Sequence, residues 1–77
     1  MDPDTRDLIV RLCTQAGMIM EDASLLGITM PSHNEGGMVE AMARLRRAAE
    51  AIATLVTAAA MLCEHAQSEP AAGSRRA

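Results

Sequence analysis

The chain of 77 residues contains no tryptophan, tyrosine or phenylalanine. Large aromatic side chains anchor many recognition surfaces, and the bases of single-stranded nucleic acids stack on their rings. Lysine is absent as well, so all seven basic residues are arginine, and the formal net charge is −3. A chain with this charge has no overall attraction to phosphate or to anionic lipid. These absences argue against nucleic-acid binding as the main function.

Cysteine is scarce, with Cys13 and Cys63 standing fifty residues apart and no CxxC spacing. This pattern predicts neither a disulfide framework nor a zinc site. In a hairpin the two thiols fall outside disulfide reach, so we expect two small core residues. The alternative is a disulfide bond between the cysteines of two chains.

Long apolar runs are also missing. The longest stretch without a charge, Ala51 to Cys63, has thirteen residues, whereas a transmembrane helix needs about 20. The first residues, Met1 to Asp4, are acidic and lack the basic segment that opens a signal peptide. We therefore expect a cytoplasmic protein without a membrane span.

Alanine, leucine, isoleucine and methionine supply the apolar mass, with fifteen alanines against five glycines and three prolines. Apart from isoleucine these residues are good helix formers, so the composition predicts an all-α protein. Alanine richness together with arginine in place of lysine is typical of proteins encoded by G+C-rich bacterial genomes. A chain this short forms one domain at most and is too small for a deep enzyme pocket.

The first predicted helix covers residues 3 to 26. Asp2 is a suitable N-cap, and Pro3 suits the first helical position because its missing amide would be unpaired there. Gly27 fits the left-handed position just beyond a helix end. Apolar residues follow at alternating spacings of three and four, which predicts one buried stripe. The stripe consists of Ile9, Leu12, Ala16, Ile19, Ala23 and Leu26.

The second predicted helix covers residues 33 to 67. Ser32 and Glu35 have the spacing of a capping box, although Gly36 and Gly37 weaken the first turn. Two apolar series with heptad spacing run along it. One is Met38, Met42, Leu45, Ala49, Ile52, Val56, Ala59, Cys63 and Ala66; the other is Ala41, Leu45, Ala48, Ile52, Leu55, Ala59, Leu62 and Ala66. Two adjacent series predict more than one neighbouring helix, as in a four-helix bundle.

The two helices differ in length, at about 36 Å and about 52 Å. Folding through a short connection would put Asp2 near Thr57 and leave Ala58 to Gln67 beyond the first helix. We therefore predict an antiparallel hairpin over residues 1–67 that dimerises into a four-helix bundle, followed by a flexible tail over residues 68–77. The alternative is a monomer whose second helix ends near Ala60. The predicted dimer interface comprises Leu55, Val56, Ala59, Leu62 and Cys63.

Two residues on the first helix suggest a surface for another protein. Met18 and Leu25 are seven apart, on the side that also carries Asp4 and Arg11. Apolar side chains grouped on a polar side can form a contact surface. The alternative is an ordinary pair of exposed apolar side chains.

A nucleic-acid contact would use Arg44 and Arg47, which share one side of a helix. Glu40 and Glu50 stand at intrahelical pairing distance and largely neutralise this cluster. A third hypothesis is a metal-binding bundle, because Glu21, Asp22, His33 and Glu35 gather at the predicted turn. The metal hypothesis is weak, since the chain has no ExxH pair.

No catalytic, cofactor-binding or metal-ligating set is identified in the sequence, since nucleophile–base pairs, glycine-rich phosphate loops and converging acids are all missing. We therefore expect a non-enzymatic, dimeric protein-interaction or regulatory module. An RNA-binding hairpin and a metal-binding bundle are the alternatives. The expected partners are a second copy of the chain and another protein.

Overall fold

The computed structural model describes residues 1–68. It contains an α-helix α1 over Pro3–Thr29, one turn of 3-10 helix over Met30–Ser32, and an α-helix α2 over Glu35–Ser68. The two α-helices pack against each other, and residues 1–68 contain no strand. The predicted all-α hairpin is confirmed. Of the predicted tail, Ser68 is the last residue of α2, and residues 69–77 lie outside the described part.

Asp2 caps α1 as predicted. Its Oδ2 accepts a hydrogen bond of 3.0 Å from the backbone amide of Thr5, and its Oδ1 accepts one of 2.6 Å from the Thr5 hydroxyl. Pro3 occupies the first turn. The two bonds from Thr5 stabilise the charged carboxylate and lower the pKa of Asp2 below its usual value of 3.8.

The predicted end of the first helix at Leu26 is wrong. Gly27 does not adopt a left-handed conformation, since no residue of 1–68 has a positive φ, and α1 continues to Thr29. Pro31 explains the actual end. It has no amide with which to continue the ladder to the Gly27 carbonyl, and that carbonyl accepts from the amide of Met30 instead. The chain therefore leaves α1 through a 3-10 turn.

The predicted capping box at the start of the second helix is also wrong. The Ser32 hydroxyl donates to the carbonyl of Thr29 at 2.7 Å, so it closes the end of α1. Asn34 caps α2 instead, with its Oδ1 accepting from the amide of Gly37 at 2.7 Å. An asparagine is as good an N-cap as a serine. Because Asn34 takes this role, α2 begins at Glu35.

The contact between the helices uses the predicted stripes. All six predicted residues of α1 are buried or half-buried, from Ile9 to Leu26. On α2 the buried and half-buried residues include the whole second series, which begins at Ala41 and ends at Ala66. Ala16, Ala41 and Ala59 are the most buried, at 2%, 1% and 5% exposure. Small side chains at these positions let the two helix backbones approach closely.

The predicted overhang of the second helix is wrong. Leu8 and Leu12 of α1 line one surface hollow with Ala58, Met61 and Leu62, which the prediction had placed beyond the first helix. The cause is that the chain reverses its direction later in the sequence than predicted. Each residue by which the turn moves along the sequence shifts the pairing of antiparallel helices by two positions, so α1 covers nearly all of α2.

Candidate interaction surface

Four residues of the first α2 series remain exposed because the seam with α1 uses the other series. Met38, Met42 and Val56 are 43%, 56% and 45% exposed, and Ala49 is exposed as well. At about 100° per residue these side chains fall on one flank of the seam. The prediction of two apolar series on this helix therefore leaves one series without a neighbour in the hairpin.

Two surface hollows show which flank of α1 and which flank of α2 lie on the same side of the hairpin. Asp22 and Leu26 of α1 line a hollow with Arg44 of α2, and Leu8 lines another with Leu62. Helical periodicity places these residues on one broad side of the hairpin. The opposite flanks of α1 and α2 consequently share the other broad side.

That other side is mostly apolar, and we call it the apolar face. Its apolar members that are exposed or half-buried are Cys13, Gly17 and Met20 of α1 and Met38, Met42, Ala49, Val56 and Ala60 of α2. By helical periodicity the exposed polar residues Ser24 and Gln67 lie on the same stripes. Half-buried Leu45, Ile52 and Cys63 adjoin it at the seam. A hollow of about 610 Å³ at its α2 edge is lined by Val39, Met42, Ala43, Leu45, Arg46 and Ala49.

Within residues 1–68, the charged residues on this side lie around the border of the face. Helical periodicity places Arg6 at the N-terminal end of its α1 half, on the stripe of Cys13 and Met20, and places Glu21 at its α1 edge. Glu35, Arg46 and Glu64 are at its α2 edge. A broad apolar area with a charged rim is the usual anatomy of a protein interface. Sequence analysis found the α2 half of this face and missed the α1 half, because which flank of α1 shares a side with Met42 depends on the packing.

The five residues predicted for the dimer interface lie in different places. Val56 belongs to the apolar face, and Cys63 adjoins it. Ala59 is buried in the seam with α1, while Leu55 and Leu62 are half-buried on the opposite flank of that seam. The prediction placed all five together because it put the start of the first helix level with Thr57, so that α2 was uncovered from Ala58 onward.

Met18 and Leu25, predicted as a partner surface, are 56% and 61% exposed. They lie on the side of α1 that faces away from α2. Leu25 also lines the hollow of about 430 Å³ that holds Asp22 and Arg44. Met18 and Leu25 are therefore separate from the apolar face.

The two arginines of the predicted nucleic-acid contact are both exposed. Arg44 shares its hollow with Asp22 of α1, an acid that sequence analysis had not placed near it. A carboxylate beside a guanidinium reduces its attraction to phosphate. Arg47 lies farther round the helix. With Asp22 in the hollow of Arg44, the surface around the two arginines carries charges of both signs.

The residues at the turn include one unusual histidine. His33 is half-buried, and its Nε2 is buried without a hydrogen-bond partner. Its Cβ and its ring Nδ1 lie 3.2 Å and 3.4 Å from the place that a Cβ on Gly37 would take, so the imidazole packs on the first turn of α2. Nowhere in residues 1–68 do three His, Cys, Asp or Glu side chains come together as a metal site would require.

The length and composition of α2 also pass the test for a membrane-spanning helix. Its best 18-residue window has a mean hydropathy of 1.2, and only 6% of that window is buried in the hairpin. A single such helix is weak evidence for a membrane span. The finding does show that few residues of this window are buried against α1.

Comparisons of the chain with protein-family models, with curated proteins and with solved structures find no match. The functional inference therefore rests on the apolar face.

Proposed function

We propose that the chain is a non-enzymatic module that pairs with a second copy of itself through the apolar face. The pair would form a four-helix bundle that serves in protein–protein interaction or regulation. The observation that carries this proposal is the apolar face itself. Its three large α2 side chains, Met38, Met42 and Val56, keep about half of their surface exposed in the hairpin.

The small core of the single hairpin supports the same proposal. Only three residues of 1–68 are buried, and all are alanines. Burial of apolar surface contributes about 25 cal/mol per Å², and alanine offers little of it. Chains of this size without disulfides or metals usually gain the missing stability by association. A two-fold dimer would bury both copies of the apolar face against each other.

The test compares two glutamate variants of α2 by light scattering over a range of protein concentrations. Met42 lies on the apolar face and Met61 on the side of α2 away from it, and the two are 56% and 63% exposed. We expect wild type and Met61→Glu to be dimers and Met42→Glu to be a monomer. Each chain would lose one methionine that the proposed interface buries, which should raise the dissociation constant of the dimer at least about a hundredfold.

Local helix stability does not explain this expected difference. A glutamate at position 42 stands four residues before Arg46, a spacing that stabilises a helix by a few tenths of a kcal/mol. Circular dichroism of the Met42→Glu monomer therefore isolates the lost contact between chains. A wild-type chain that stays monomeric at high micromolar concentration would refute the proposal.

A further inference from the structure

We propose that the two copies pair with their turns at the same end of the bundle, so that α1 of each chain packs on α2 of its partner. This inference rests on the proposed function and specifies the contact. The two-fold axis would then run parallel to the helices. Every helix would have two antiparallel neighbours, one from its own chain and one from the other.

The register of the hairpin fixes which residues would meet. Leu12 and Ala58 line one hollow, as do Leu8 and Leu62, and Asp22 and Leu26 are near the level of Arg44. Counting along the helices in opposite directions puts Arg6 level with Glu64. The same count puts Glu21 about one turn from Arg46 along the axis.

The border charges favour a second copy as the occupant. With both turns at one end, Arg6 would lie opposite the partner's Glu64, and Glu21 would lie near the partner's Arg46. The two-fold axis repeats each pairing, so the dimer would contain four pairs of opposite charges around the border of the interface. Complementary charges at an interface rim steer association and fix its register.

Side-chain sizes along the two helices fit the same arrangement. Gly17 would lie opposite the partner's Ile52, and Met20 would lie opposite the partner's Ala49. Each large side chain thus meets a small one on the facing helix. This alternation lets two helices pack closely.

A second arrangement, with the axis perpendicular to the helices, would also pair the border charges. It would stack α1 on the partner's α1, pairing Arg6 with the partner's Glu21. The turns would then be at opposite ends, and Met42 would lie beyond Ser68, the last described residue of the partner. In the first arrangement Met42 is level with the partner's Ile28, so the coverage of Met42 favours that arrangement. The second would also place Cys13 against the partner's Cys13, which separates the two by experiment.

Cross-linking between two differently tagged chains tests the arrangement. Both chains carry Cys13→Ala and Cys63→Ala; one also carries Met20→Cys and the other Ala49→Cys. After mixing and mild oxidation, we expect a disulfide-linked product that contains one chain of each kind. Products of two identical chains should be minor, because the like positions lie diagonally across the bundle. In the wild-type chain, Cys13 should not cross-link to itself.

A charge swap gives an independent readout. Arg6→Glu alone should raise the dissociation constant about tenfold, since it replaces two attractive border pairs with repulsive ones. Arg6→Glu combined with Glu64→Arg should restore wild-type association. In the second arrangement the double variant would not recover wild-type association, because the glutamate introduced at position 6 would still lie opposite the partner's Glu21.

The outcomes separate this inference from the proposed function. A dimer that forms a Cys13–Cys13 bridge, or that gives no mixed product, would overturn the same-end arrangement and leave self-association intact. A monomer by light scattering would overturn both.

Discussion

Asp2 connects the stability of α1 to pH. The two hydrogen bonds from Thr5 lower the pKa of its carboxyl group below 3.8 in the folded chain. A group with a lowered folded pKa stabilises the fold fully above its unfolded pKa and loses that contribution as the pH falls through the folded value. The Asp2 contribution should therefore be complete at pH 6 and disappear below pH 3.8.

The check is to compare thermal unfolding of wild type and Asp2→Asn from pH 6 down to pH 2 by circular dichroism. Asparagine caps a helix about as well as aspartate does but carries no charge. Wild type should melt at the higher temperature at pH 6, and the difference should vanish at the acid end. A difference that does not change with pH would contradict this role of the carboxylate.

Individual residues at the helix start were predictable where the capping group is adjacent in sequence. The neighbouring residues Asp2 and Pro3 predict an N-cap and a first helical position, and the structure confirms this prediction. At the second start the prediction used Ser32, whereas Asn34 is the residue that caps α2. Which of them caps α2 depends on the path of the turn, because Ser32 is drawn to the open carbonyl of Thr29. The sequence pattern could not show that competition.

The first turn of α2 contains two adjacent glycines in different surroundings. A Cβ on Gly36 would meet only Asn34 Oδ1 at 3.8 Å, which is ordinary contact. A Cβ on Gly37 would lie 3.1 Å from Asn34 Oδ1 and 3.2 Å from the Cβ of His33. Gly37 is therefore the position where a side chain would disturb both the cap and the packed imidazole.

We expect Gly36→Ala to stabilise the chain by ~0.5–1 kcal/mol, the usual gain of alanine over glycine in a helix. Gly37→Ala should gain less or destabilise, because His33 and Asn34 must move. Urea unfolding of both variants measures the difference, and the two substitutions are identical in chemistry. Equal gains at both positions would show that His33 does not constrain this turn.

At the level of the helices, their number, type and buried stripes followed from periodicity, whereas the end of α1 did not. Gly27 has the features of a helix stop, but the backbone passes through it unchanged because Pro31 decides where the amide ladder ends. The later end of α1 and the later start of α2, at Glu35, together moved the whole pairing of the two helices. The predicted overhang around Leu62 was lost for that reason.

At the scale of the molecule, residues 1–68 present a broad apolar face, and a second copy or a lipid bilayer are the two kinds of surface that would cover it. The charges within α2 favour the second copy. Glu40, Arg44, Arg46, Arg47 and Glu50 occupy its first half, which leaves a stretch of uncharged residues well below the ~20 that a bilayer requires.

We therefore expect the chain to stay in solution when mixed with neutral phosphatidylcholine vesicles and separated by flotation. Wild type and Met42→Glu should both remain with the soluble fraction, because in our proposal a second copy of the chain covers the face of the wild type and the substitution adds a charge to the face of the variant. Flotation of wild type with the vesicles, but not of Met42→Glu, would assign the apolar face to a lipid surface instead.

The sequence by itself determined the two helices, the cap at Asp2, the stripe from Ile9 to Leu26 and the presence of two apolar series on α2. All of these depend on neighbours three or four residues away, which helical geometry brings together without any tertiary contact. Only the tertiary structure decided which α2 series α1 covers and which border charges share a side. The direction in which the chain turns at Pro31 sets these relations, because small changes at a turn displace every residue of the helix that follows.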